Sequence, residues 1–178
     1  SSSTFRMFLP NPISYEQCKD NLRLINDLNS SIIRNSFASI YTNPLVDTYN
    51  DSGWDTIAQN FANMARATKE LGLKGLFIDP EDYSNGLVWN YPETCSNGRT
   101  MDECRDKMIT RGWQVMKAIL TEWDDVHIIT AHGPNIHRWR LTQYIRSIFL
   151  MSSFEIGMIM AIYDSNFKHG TKAKFVDG

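Results

Sequence analysis

The stretch Leu73–Tyr83, LKGLFIDPEDY, narrows the fold more than any other part of the chain. Its apolar run Leu76, Phe77, Ile78 stops abruptly at Asp79-Pro80-Glu81-Asp82-Tyr83. A short continuous apolar run with such an end reads as a buried parallel strand that delivers acids to the rim of a sheet. Pro80 cannot donate a ladder hydrogen bond, which suits the end of a strand. The segment before it is the clearest helix in the chain. Trp54, Ile57, Phe61, Met64, Ala65, Thr68 and Leu71 repeat at i, i+3, i+4, i+7, with Asp51 or Ser52 to cap the start and Gly72 the end. Only Leu73–Gly75 separates helix from strand, a connection typical of α/β units.

The same alternation extends in both directions. Residues 5–13 read as a short extended segment cut by Pro10 and Pro12, and Ser14-Tyr-Glu-Gln17 has capping-box form. Tyr15, Cys18, Leu22, Ile25 and Leu28 follow at helical spacing, then Ile32–Tyr41 is a strand. Residues 84–99 are a polar loop containing Trp89 and Tyr91. Thr100-Met-Asp-Glu103 is a second capping box, opening a helix to about Glu122. Val126–Thr130 is the next strand, 140–163 are helical in two pieces broken near Ser152 or Gly157, Asn166–Gly170 turn, and Lys172–Val176 is a final strand. Strands separated by helices are parallel strands with helical crossovers. The expected fold is α/β, part of a (β/α)8 barrel, with an open doubly wound sheet as the alternative. A full barrel needs roughly 250 residues. The 178 residues are therefore expected to form a single α/β domain that is an incomplete segment of a larger barrel.

Composition removes several classes of partner. A net charge of −2 offers no basic field for nucleic acid. No apolar run approaches the ~20 residues that span a bilayer. There is no Gly-x-Ser-x-Gly, Walker-type loop or Gly-x-Gly-x-x-Gly, so serine-hydrolase and nucleotide readings lack their signatures, and no cofactor is expected. The start SSST is expected to belong to a mature or excised piece, and Asn29-Ser-Ser and Asn50-Asp-Ser are glycosylation acceptor patterns compatible with an extracellular or secretory location. Cys95 and Cys104 flank a polar loop and could close a disulfide ring. Cys18 falls on a helix stripe as a buried thiol.

The chemistry gathers at strand ends. Glycoside hydrolysis needs one carboxylic acid to protonate the leaving oxygen and a second carboxylate as base or nucleophile. Glu81 is the expected general acid and Asp79 its partner, two positions apart on one face if the strand continues. Asp177, ending the last strand, is the expected distant carboxylate. The plainer reading makes Asp79 a turn cap and Glu81 a solvated acid. Tyr83, Trp89 and Tyr91 are placed to stack on sugar faces or, alternatively, to pin their loop to the domain. His132, at the tip of the third strand, is expected to hydrogen-bond the ligand, and Asn35, read as mid-strand, to bind substrate. His127 and His169 are read as structural and solvated. A metal pair of His132 and His137 with the acids lacks any His-x-His or His-Glu-x-x-His pattern, so no metal site is assigned.

The segment SGWDTIAQNFANMARATKELGLKGLFIDPEDY…WNYP resembles a region of glycoside-hydrolase-like barrel proteins. In these a Trp-led helix precedes a GLKG turn, a strand ending Asp-x-Glu-x-Tyr and a Trp-x-Tyr loop. RGWQVMKAI, the ITAHGP strand tip and the terminal FVDG follow in the same order, so the resemblance covers roughly residues 30–178. The Asp79-x-Glu81 pair is also similar to the fourth-strand tip of chitinase-type hydrolases, without their longer run of aspartates. The resemblance implies a glycosidase acting on a glycan by carboxylate acid–base catalysis. It also implies further acids beyond Val-Asp-Gly, and hence association with the missing part of the barrel or self-association. Two other readings stand beside it: a non-catalytic carbohydrate-binding or scaffold protein on the same strands, and a metal-dependent hydrolase using His132.

Overall fold

The structure, a computed structural model, describes residues 5–26, 35–41, 46–80, 89–95, 98–131 and 145–177. The elements are β1 (Phe5–Arg6), α1 (Tyr15–Asn26), β2 (Phe37–Tyr41), α2 (Asp51–Glu70), β3 (Gly75–Asp79), α3 (Met101–Glu122), β4 (His127–Thr130), α4 (Ile145–His169) and β5 (Lys174–Asp177). All strand pairs are parallel, and the five-stranded sheet runs β1-β2-β3-β4-β5 in chain order. A doubly wound sheet turns on a reversal of strand order. These strands show none.

Burial shows where the helices lie. Ala38, Leu76 and Ile128 share one row of the register and Ile40, Ile78 and Thr130 another, and all six are buried. Ser39, Phe77 and Ile129, the row between them, are only half-buried. Side chains alternate between faces along a strand. One face is therefore covered by helices, and consecutive helices pack on one another from α1 to α4.

Local signals account for the helix ends. Asn50, one residue ahead of the expected cap, accepts the Gly53 N–H at 3.0 Å and starts α2. Gly72, at φ +71°, ends it in the left-handed region that glycine adopts without a Cβ penalty. The Thr100/Glu103 capping box opens α3, and Ser14 and Gln17 exchange the same pair of bonds at α1. Cys18 is buried as expected, and burial pushes its thiol up to about 11. Cys95 and Cys104 lie at disulfide distance, with Cα atoms 6.0 Å apart.

Two expectations change. Gly157 does not break α4, which runs unbroken over Ile145–His169 and through the expected turn at Asn166. A Cβ on Gly157 would lie 2.0 Å from the Ile109 carbonyl oxygen, and one on Gly112 would lie 1.9 Å from that of Phe154. The two glycines let α3 and α4 touch backbone to backbone. The strand expected from Ile32 begins at Phe37, and residues 27–34 lie outside the described residues.

The core is aromatic at its centre. Phe8 packs edge-on against Phe61 at 4.9 Å and Phe154 at 5.4 Å, with Trp54 and Trp89 around them. Asn60 fastens the segment after β1 to α2. It accepts the Ile13 N–H at 2.7 Å and donates to the carbonyls of Met7, Leu9 and Asn11 at 3.1–3.3 Å.

Candidate functional site

The carboxyl ends of the parallel strands are where open sheets and barrels alike assemble their sites. Asp79 closes β3, and Asp177 closes β5 beside Thr130, the last residue of β4. Asp79 is buried and Asp177 exposed. Thr130 and Asp177 continue the helix-facing row of Ile78, whereas alternation groups Asp79 with Phe77 on the other face. The two acids thus reach one rim from opposite faces of the sheet. Glu81, Tyr83 and His132 lie outside the described residues.

Trp89 is placed as the loop-pinning reading has it. Its ring is 1% exposed, 6.0 Å from Phe8 and 5.6 Å from Phe154, and its indole N–H donates to the Pro80 carbonyl at 2.9 Å. The residue expected to stack on a sugar instead clamps the chain just past the acidic strand tip. Tyr91 is half-buried against the core and donates its hydroxyl to the Arg99 carbonyl at 2.7 Å. Tyr91 thereby ties the loop to the approach of α3. Asn35 is exposed and precedes β2, so it sits at the amino end of the sheet, away from the rim that holds Asp79 and Asp177. His127 opens β4 at that same far end, where burial and the charges of Lys74 and Lys174 lower its pKa.

The residue that sequence reasoning missed is Glu155. It lies in α4, and the structure turns it inward. The side chain is 1% exposed, and neither carboxylate oxygen has a hydrogen-bond partner. Its pKa is raised to about 8, chiefly by burial; the nearby Thr130 hydroxyl offsets part of the rise and the charge of Asp177 adds to it. That hydroxyl favours the charged form by proximity, yet its geometry falls short of a hydrogen bond. The Ser152 hydroxyl, one helical turn earlier, is buried and unpartnered as well. Glu155 is therefore a neutral acid near pH 7, lodged between α4 and the ends of β4 and β5. The signal for it in the sequence is Ser152-Ser-Phe-Glu155 inside an otherwise apolar helix, since such a helix hides polar groups only where something requires them.

Elsewhere, Arg111 of α3 is buried while ion-paired to Asp51. It donates to the Thr48 carbonyl at 3.0 Å, and Lys107 also reaches Asp51. These contacts hold the start of α2 to α3 and leave Asp51 with a lowered pKa, chiefly through the Arg111 hydrogen bond. Among the described residues no three His, Cys, Asp or Glu side chains gather closely enough to hold a metal ion. No helix among them is long and apolar enough to cross a membrane. Comparison with family models, curated proteins and solved structures found no match.

Proposed function

We propose that this chain is a glycoside-hydrolase-like protein built as part of a (β/α)8 barrel, cleaving glycosidic bonds in a glycan by carboxylate acid–base chemistry. One observation carries the reading: in a parallel sheet whose strands follow chain order, Asp79 and Asp177 end β3 and β5 at the same carboxyl rim. Chain-order strands with helices on one covered face are what a barrel segment requires. Glu81, two residues beyond Asp79, is the general acid of this reading, with Asp79 its partner. Asp177 is the distant carboxylate. Asp79 and Asp177 stand two strand spacings apart, roughly 10 Å between backbones. A secreted protein acting on an extracellular glycan would also suit a bonded Cys95–Cys104 pair.

The test is release of reducing ends from a glycan panel by wild type, Glu81→Gln and Asp177→Asn. Both variants should lose at least ~10²-fold in turnover while retaining glycan binding. Unchanged turnover in Glu81→Gln overturns the assignment. A second reading, a non-catalytic carbohydrate-binding or scaffold protein, is favoured by Trp89 and Tyr91 being spent on packing. It predicts wild-type glycan binding, or none, with no hydrolysis at all.

A further inference from the structure

Among the described residues the exposed large apolar side chains are Ile156, Met160, Tyr163, Phe167 and Val176, all in the last helix and strand. The solvent faces of the earlier helices carry Glu16, Asp20, Gln59, Arg66, Asp102 and Asp106 instead. Ile156, Met160, Tyr163 and Phe167 are spaced 4, 3 and 4 residues apart along α4. That spacing is the seam of two helices packed side by side, and it extends over nearly two heptads. Exposure along it rises from 38% at Ile156 through 48% and 72% to 81% at Phe167, and the Tyr163 and Phe167 rings stack 6.4 Å apart.

We propose that this stripe is the interface of a symmetric dimer in which α4 packs antiparallel on α4 of a second copy. A two-fold axis between Met160 and Tyr163 sets Met160 against the partner's Tyr163 and Ile156 against the partner's Phe167, a short side chain facing a ring at every level. No charge is stranded by the contact, because Asp164, the acid flanking the seam, is paired with Lys168 of its own helix at 2.5 Å. Large aromatic side chains bury ~150–250 Å² each, so the two rings alone offer roughly 300 Å² per protomer. With Ile156 and Met160 added on both sides, the total reaches the ~1,000 Å² at which specific interfaces begin. Head-to-tail closure of α4 onto α1 is disfavoured by the charged outer face of α1, which offers an apolar stripe nothing to bury.

Sedimentation velocity on the full chain, from about 1 to 100 µM, reads the association directly, over the range in which an interface at the small end of the specific class is tested. Wild type should pass from monomer to dimer in that range. Tyr163→Glu and Phe167→Glu should each weaken association at least ~tenfold, and the double variant should be monomeric throughout with an unchanged far-UV circular dichroism spectrum. The surface control Gln59→Glu should dimerise like wild type. A wild type that stays monomeric at 100 µM overturns the proposal. So does a dimer that survives the double substitution, or a complex that grows past two copies.

Discussion

The indole nitrogen of Trp89 lies 2.9 Å from the carbonyl oxygen of Pro80, the residue that follows the last position of β3. An aromatic from the loop after the acidic strand thereby holds the chain just past that strand's end. Trp89→Phe keeps a ring against Phe8 and Phe154 but strands the carbonyl, at a cost of about 1–3 kcal/mol. Trp89→Ala also empties the aromatic centre and should cost ~3–5 kcal/mol. Urea unfolding checks both. A Trp89→Ala protein of wild-type stability would place the ring outside the core.

Gly112 and Gly157 meet the opposite helix at backbone distance. Either one replaced by Ala must push α3 and α4 apart, because carbonyl oxygens cannot yield as a flexible side-chain end can. Each substitution should cost ~3 kcal/mol or more. The double variant should cost less than the sum, since the first displacement already makes room for the second methyl. Thermal denaturation of the three variants measures the coupling.

Glu155 gives the protein a pH dependence of defined sign. Its pKa is about 8 in the folded chain against an ordinary value of 4.5. Between those values the folded state keeps a proton that the unfolded state has lost. Stability from this group is therefore full below pH 4.5 and declines as pH rises toward 8, by up to about 1.4 kcal/mol per pH unit. Glu155→Gln should remove the decline and be the more stable protein at pH 9. Urea midpoints at pH 5, 7 and 9 decide it, and parallel pH profiles for the two proteins would refute the burial of an ionisable acid.

Asn60 serves four backbone groups of the segment 7–13. Asn60→Asp keeps an acceptor for Ile13 but loses the donors to Met7, Leu9 and Asn11, while Asn60→Ala loses both. We expect about 2–4 kcal/mol for Ala, because the buried Met7 carbonyl and three part-buried backbone groups lose their partner at once. Limited proteolysis should then cut within residues 7–13 well before any other described segment.

The sequence by itself determined what depends on residues within a turn of one another. The Thr100/Glu103 box, the glycine after α2, the Trp54–Thr68 stripe and the alternation of strands with helices were all readable, because caps and periodicity act over i to i+4. The acidic end of β3 was readable for the same reason: Pro80 terminates pairing wherever it occurs. Tertiary structure alone decided the rest. Asn35 falls at the far end of the sheet because the register of β2 on β3 starts at Phe37. Gly157 is a contact and not a break because α3 arrives there with a glycine of its own. Trp89 turns inward because Phe8 and Phe154, 81 and 65 residues away, build its pocket. Glu155 is neutral because the ends of β4 and β5 close over it. Whether a side chain meets water or core is set by partners distant in the chain, and no local pattern encodes them.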